Sequence, residues 1–525
     1  MAHDDVYWVF GRVLILKEMI MIESKLIAML ALSTSVLALS SCSKSGNNVV
    51  QTKQSGKLVL SDATIVDTSD GHLSPHMDIF MAAGRIDKIS PTADLPLDAS
   101  FTVVNASGKY VVPGYLDMHA HVFGNSDAAS SLSLMLINGV TGFRQMQGSK
   151  DLLAARHDGT LPNAEGAPEL LAMPGEILTP LNAGSPEEVI SEVRRQKEQG
   201  ADFIKVVNVS IPVFFAAQAE AKKLNLPFVG HVPGAVDALV AARNGMRSME
   251  HLGTGVSLLT PCSADEASLR AAVEKIAPPS GPPIKLPFMS TLFASKIRRF
   301  LVNPTVESEM GDINLMQQAV ATFDTAKCAV AAQKLFAADT WQVPTLIRLR
   351  TMELGDSPEY LSDPRYAYMP PEKVKLWVSV AHDFTTKFPA ATKANFAAAY
   401  ATQLRMVKLF DEAGVKMLTG SDYGGGWLVP GYSLHQEFDE LSRAGLSPLK
   451  ILQMATKNGA EFLGKQATMG SVTIGKNADL VMLNANPVES EKNLHQISGV
   501  VRRGNFYSKA SLDSILGNLS KPYKQ

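Results

Sequence analysis

Four of the eleven histidines close apolar stretches that read as β-strands. His119 and His121 lie in YLDMHAHVFG, His231 ends LPFVGH and His251 ends MRSMEH. One intervening residue on an extended strand turns both imidazoles of H-x-H to the same side. Asp422, in VKMLTGSDYGGG, ends a further strand. Imidazoles and a carboxylate at such positions suit zinc or a similar divalent ion. Each element alone has a plainer reading: an H-x-H in a strand is more often structural, and an Asp before Tyr-Gly-Gly-Gly is usually a turn former. Jointly, four histidines and one aspartate, each closing an apolar strand, exceed what packing needs. The expected site is a metal centre.

Lys205 interrupts FIKVV. An ammonium inside an apolar strand is costly unless it reaches solvent or a partner, and a snorkelling or salt-bridged lysine is the default reading. His231 and His251 follow at about one β/α unit each, which favours a second one. A deprotonated amine among metal ligands captures carbon dioxide, and the resulting carbamate bridges two metals.

The elements that position these groups follow from the patterning. Residues 58–115 alternate apolar and polar positions between turn residues, the grammar of a β-domain. From 116 to 466, short apolar runs alternate with helical stretches such as EEVISEVRRQKEQG. That pattern predicts an α/β fold, a (β/α)8 TIM barrel, whose strands converge with their carboxyl ends on one face, so that distant histidines meet. A doubly wound open sheet is the alternative, but no Gly-rich fingerprint follows the first strand. Strand grammar returns in 467–510, predicting a small composite β-sandwich domain formed from both terminal segments, with 511–525 as a tail. Residues 261–320 exceed a normal loop and predict a helical excursion over the barrel mouth.

At the amino end, KLIAMLALSTSVLALSSC from Lys25 to Cys42 has the shape of a signal peptide, too short and Ser-rich for a comfortable membrane span. Its last four residues resemble the bacterial lipoprotein cleavage box, with Cys42 as the lipidated residue. Residues 1–42 are therefore expected to be a leader and 43–57 a polar tether, and the protein an exported, periplasmic or cell-envelope lipoprotein that meets the membrane only through its lipid anchor. Residues 1–18 have no place in this grammar; a start at Met19 or Met21 gives a conventional basic head. Export leaves Cys262 and Cys328 open to a disulfide or to two buried thiols, and without a C-x-x-C pair a zinc ribbon is excluded. A net charge of −2 over 525 residues gives no field for a polyanion, so nucleic acid is not the expected partner.

The stretches VVPGYLDMHAH, FIKVV, LPFVGHVPG, SMEHLGTG and LTGSD, followed by ATKNGAEFLG and GSVTIGKNADLVML, resemble the amidohydrolase superfamily, near its imidazolonepropionase-like and prolidase-like branch. The resemblance covers about residues 58–505 and implies a binuclear centre of two divalent ions, most simply Zn2+. His119, His121 and Asp422 would hold one ion, His231 and His251 the other, and carboxylated Lys205 would bridge them. The reaction then expected is hydrolysis of a carbon–nitrogen bond in a small amide or peptide, such as a dipeptide or N-acyl amino acid. The nucleophile is a metal-activated hydroxide, and Asp422 is the proton acceptor. Arg144, Arg348, Tyr423 and His435 are candidates to bind the substrate. The alternatives are an ester, lactone or cyclic-amide hydrolase with the same centre, and a non-catalytic metal- or solute-binding lipoprotein. Self-association into a homo-oligomer stays open.

Overall fold

The computed structural model describes residues 56–519, apart from 94–99, 125–126 and 277–293. The expected leader with Cys42, nearly all of the tether and residues 520–525 of the tail lie outside the described residues. Five strands come from the amino-terminal segment: β1 (Lys57–Val66), β2 (Leu73–Ala82), β3 (Arg85–Pro91), β4 (Thr102–Asn105) and β5 (Tyr110–Pro113).

Seven short strands follow. β6 (Tyr115–Ala120), β7 (Val140–Gln145) and β8 (Glu169–Ala172) form one parallel sheet. β9 (Ile204–Val206), β10 (Phe228–Gly230), β11 (Ser248–Glu250) and β12 (Trp341–Val343) form another. Every residue of β6, β7 and β9 to β12 is buried, as parallel strands covered on both faces must be. Helices carry the crossovers that parallel pairing requires. In Pro186–Glu198, between β8 and β9, the Ser185 hydroxyl accepts the Glu188 N–H at 3.2 Å and proline opens the first turn. Glu187 and Glu188 then complement the amino end of that helix, and Arg195 and Lys197 its carboxyl end.

Single backbone bridges join the two sheets. On one flank Leu178 N–H donates to Lys205 O at 2.9 Å and Val207 N–H to Leu178 O at 3.1 Å. On the other, residues 416–423 run between β12 and β6. Gln342 N–H donates to Lys416 O at 3.0 Å, Met118 N–H to Thr419 O at 2.9 Å and His121 N–H to Tyr423 O at 2.8 Å. The regular ladders are thus two parallel sheets of four and three strands rather than one unbroken ring.

The chain ends on β13 (Leu480–Leu483), β14 (Ile497–Arg502), β15 (Asn505–Ser508) and the helix Lys509–Leu519. β13 pairs antiparallel with β5, from Leu480 opposite Pro113 to Leu483 opposite Tyr110, which unites both terminal segments. In place of the two separate sheets of a sandwich there is a single eight-stranded sheet, ordered β15-β14-β13-β5-β1-β2-β3 with β4 also on β1. Leu58, Ile79, Val111, Leu480 and Val501 form its own apolar core, apart from the larger one between the parallel strands and their helices. In the excursion, Glu266–Val273, Ala294–Val302 and Met310–Ala321 are helical. A disulfide joins Cys262, at the root of the excursion, to Cys328 on the helix Thr325–Ala337. Among the described residues no helix is long and apolar enough to cross a membrane.

Candidate metal centre

The strand ends bring the predicted ligands together. Alternation along β6 places His119 and His121 on one side, each with Nε2 3.2 Å from Asp422 Oδ1. His251 follows β11 directly, and its Nε2 lies 3.9 Å from Asp422 Oδ2. His231 follows β10, with its ring centroid 4.9 Å from that of His251. Lys205, in the middle of β9 and 1% exposed, reaches His119 Nε2 with its Nζ at 3.3 Å. His251, Asp422 and the nearby Thr345 all have positive φ, at 57°, 50° and 45°. Left-handed backbone is uncommon for such residues and marks positions held by their surroundings.

The segment carrying Asp422 is seated by close approach. A Cβ at Gly420 would lie 2.7 Å from the Cβ of His119, so only glycine lets this segment meet β6 here. Asp422 N–H donates to His119 O at 2.8 Å. Asp117, one alternation before His119, accepts the Ser421 hydroxyl at 2.6 Å and the Ser421 N–H at 3.0 Å. Burial pushes the Asp117 carboxyl up to about 6, against those hydrogen bonds.

Behind the ligands stands Glu250, which the sequence pattern did not single out. It accepts from His119 Nδ1 at 2.7 Å, from Arg144 Nη2 at 2.9 and 3.1 Å, and from the Ser248 hydroxyl at 2.7 Å. Burial opposes its ionisation, but the Arg144 charge and the His119 hydrogen bond more than offset that and hold its carboxyl far below the usual range. A carboxylate only accepts, so His119 Nδ1 carries the hydrogen of that bond, and the ring is held with Nε2 toward Asp422. This is the arrangement by which a carboxylate orients a metal-binding imidazole. Thr345 orients the His251 ring in the same way, its Oγ1 lying 2.5 Å from His251 Nδ1.

The electrostatics suit a cation. Burial, with positive neighbours adding to it and Asp422 opposing, pushes His231 and His251 well below the ordinary imidazole value, so both are neutral donors at neutral pH. For Asp422 burial acts upward, yet His119 and His251 and the hydrogen bonds from His119 and His121 keep it well below the usual carboxylate range. Burial brings the Lys205 amine down to about 8 against the pull of Glu250 and Asp422, within reach of the neutral form that a carbamate requires. His119, His251 and Asp422 each offer one ligand atom, all within 4.8 Å of one another. Imidazoles, a carboxylate and an amine of lowered basicity converge, with the Arg348 guanidinium against the far oxygen of Asp422. The donor set fits a divalent metal.

Of the four candidates for substrate binding, placement removes three from the substrate side. The Arg144 guanidinium is 0% exposed and spent behind the site, on Glu250 and, through Nε, on Met118 O at 2.6 Å. The Tyr423 hydroxyl pairs with Ser131 Oγ at 2.9 Å, because neighbouring residues on the segment point to opposite sides. His435 Nε2 lies 2.8 Å from Asn138 O among Tyr115, Phe438 and His495, and burial takes its ring down to about 3. Arg348 alone reaches the centre, with Nε 3.3 Å from Asp422 Oδ2.

Comparison with known proteins bears on the family and the fold. Residues 398–507 match the model of the amidohydrolase family. The fold is that of bottromycin amidohydrolase, with a TM-score of 0.64 at 23% identity over 90% of this chain and 92% of that one. It is also that of a Xaa-Pro dipeptidase with bound methionine in the active site, with a TM-score of 0.54 at 17% identity over 86% and 100%. An adenine deaminase from Mesorhizobium japonicum is 24% identical over 263 residues, covering 39% of this chain and 40% of that one. The chain spans 11% to 40% of the length of the curated relatives it matches. The resemblance to the amidohydrolase superfamily holds.

Proposed function

From the resemblance of the chain to the amidohydrolase superfamily, we propose that it is a member and a metal-dependent hydrolase that cleaves a carbon–nitrogen bond in a small amide or peptide. The observation that carries this reading is the convergence of the Nε2 atoms of His119, His121 and His251 on the Asp422 carboxylate, at 3.2, 3.2 and 3.9 Å. His119, His121 and Asp422 would hold one divalent ion and His231 and His251 a second, with Lys205, as a carbamate, between them. When bound, such ions supply Lewis acidity at the scissile carbonyl and make water nucleophilic at neutral pH. The chain's own contribution is orientation and proton traffic. Glu250 and Thr345 fix the rings of His119 and His251, and Asp422 takes a proton from water and returns it to the leaving nitrogen.

In the same reading the two parallel sheets and the 416–423 segment make up the eight positions of one (β/α)8 ring, and the eight-stranded sheet is a composite domain at its base. Residues 1–42 act as an export leader, with Cys42 as the lipidation site.

The decisive experiment is metal analysis of the purified protein together with a substrate panel of dipeptides, N-acyl amino acids, lactones, cyclic amides and adenine. Release of an amine or amino acid with bound divalent metal is the expected result. Turnover confined to lactones or to adenine would transfer the reading to ester hydrolysis or to deamination, and stoichiometric metal with no turnover would leave a binding protein. Lys205→Ala should lose activity and regain some of it with added short carboxylates; absence of rescue, with no adduct on the lysine in a crystal of the wild-type protein, would count against the carbamate.

A further inference from the structure

Arg348 does more at the centre than meet Asp422. Its guanidinium is nearly buried, and each of its three nitrogens has a partner. Nε faces Asp422 Oδ2 at 3.3 Å, Nη1 donates to Val302 O at 2.8 Å and Nη2 to Leu301 O at 2.8 Å. Leu301 and Val302 are the last residues of the helix Ala294–Val302 in the excursion. Val302 O also accepts the Gly426 N–H at 3.1 Å, and a Cβ at Gly426 would meet Val302 Cγ1 at 2.8 Å. Next in the chain, Asn303 Nδ2 donates to Met352 O at 3.0 Å. Arg348 rides on the helix Leu346–Glu353, whose cap is Thr345, the partner of His251. One guanidinium therefore touches both a proposed metal ligand and the carboxyl end of a helix from the excursion.

The choice of partners matters. A guanidinium beside a carboxylate prefers a parallel two-bond fork that takes both oxygens. Here the two helix-end carbonyls hold Nη1 and Nη2, so Asp422 meets only Nε through Oδ2, and Oδ1 is left to His119 and His121. With the helix end withdrawn, a buried guanidinium needs new acceptors, and the nearest charged one is Asp422.

We propose that Arg348 is a positioning residue that latches the carboxyl end of helix Ala294–Val302 to the centre, so that seating of this helix keeps Asp422 directed at the imidazoles. The inference deepens the proposed hydrolase reading and rests on it for its kinetic arm; helix seating and metal affinity are measured independently of any turnover.

The test compares Arg348→Met, Arg348→Lys and Gly426→Ala with the wild-type holoenzyme. Gly426→Ala leaves both Arg348 and Asp422 in place and displaces Val302, so the proposal stays open to refutation if Arg348→Met does not fold. Three quantities are read: amide hydrogen exchange of peptides covering 295–306, zinc affinity by chelator competition, and kcat and KM on the best panel substrate. For both Arg348→Met and Gly426→Ala the expected result is faster exchange in 295–306 with zinc affinity or kcat lowered by about 10–100-fold and KM changed much less. Arg348→Lys, a point charge without the planar fork, should fall between. Faster exchange in Gly426→Ala with zinc affinity and kcat unchanged would overturn the latch. Loss of affinity in Arg348→Met with exchange unchanged would also overturn it, since Arg348 would then act on Asp422 alone. If the wild type hydrolyses nothing while exchange and zinc affinity still move together, the hydrolase reading fails and the latch stands.

Discussion

The two sides of the centre are built from the same kinds of residue and braced differently. Around His119 the bracing is ionic and buried: Glu250 holds the ring at 2.7 Å, Arg144 holds Glu250, and Asp117 ties the strand to Ser421. Around His231 and His251 it is neutral and sparser. A threonine hydroxyl meets His251, and among the described residues no hydrogen bond reaches the His231 ring, which has His251 as its aromatic neighbour. The helix Leu346–Glu353 that forms this wall carries Glu353, which is buried against the amide of Gln403 at 2.7 Å rather than against a cation. The two sides thus differ in what holds the rings: buried ionic pairs behind His119, and a single neutral hydroxyl behind His251.

Asp422 is the seam between the two sides, and its loss should have the largest effect. Asp422→Asn keeps size and most contacts but cannot accept a proton, so kcat is expected to fall by about a hundred- to ten-thousand-fold. Metal content, measured in parallel, separates its two duties. Retained metal with lost turnover assigns proton transfer to Asp422, and retained turnover would remove that role.

The bracing itself is compared by Glu250→Gln and Thr345→Val. Glu250→Gln strands the Arg144 guanidinium in the interior, and it should cost about 3–5 kcal/mol of stability as well as weakening metal binding by about 10–100-fold. Thr345→Val removes the hydroxyl's two neutral hydrogen bonds, to His251 and to Pro344 O, each worth about 0.5–1.5 kcal/mol, and should shift metal affinity far less. Thermal unfolding and chelator competition on both variants decide the matter. Equal losses would mean that the two sides are braced alike and would end the contrast.

What the sequence made legible follows the same division. The H-x-H alternation, the strand-end histidines and Asp422 were readable because strand period and parallel topology dictate direction, and the structure brings all of them, with Lys205, to one place. Glu250 was hidden although it precedes His251, because its partners, His119 and Arg144, are 131 and 106 residues away in the chain. Tyr423 was drawn to the site by standing beside Asp422, and His435 by being a histidine in PGYSLHQEF; neither says where a side chain points. Arg348 was placed at the site from the sequence as a substrate clamp, but its partners lie in a helix whose docking no local pattern announces. The terminal segments read correctly as strands. How their edges pair is set by β13 meeting β5 across more than half of the chain, and alternation alone does not distinguish one eight-stranded sheet from two facing ones.

The smallest effect, and the finest test of the contrast, is the response of stability to pH. Glu250 is held below its unfolded value by Arg144 and His119, so its contribution is fully present above the unfolded pKa near 4.5 and is lost only as pH falls further. Burial raises Glu353 to about 8, so between roughly 4.5 and 8 the native state holds a proton that the unfolded chain has released. Stability from this group therefore declines as pH rises through that window, by at most about 1.4 kcal/mol per pH unit. Glu353→Gln keeps a neutral hydrogen-bonding side chain against Gln403 and should flatten the decline while leaving the acid limb unchanged. Denaturant unfolding at pH 5, 6, 7 and 8 on the two proteins measures the difference directly. Parallel curves would show that Glu353 is ionised in the native state, a second buried charge on the helix that carries Arg348.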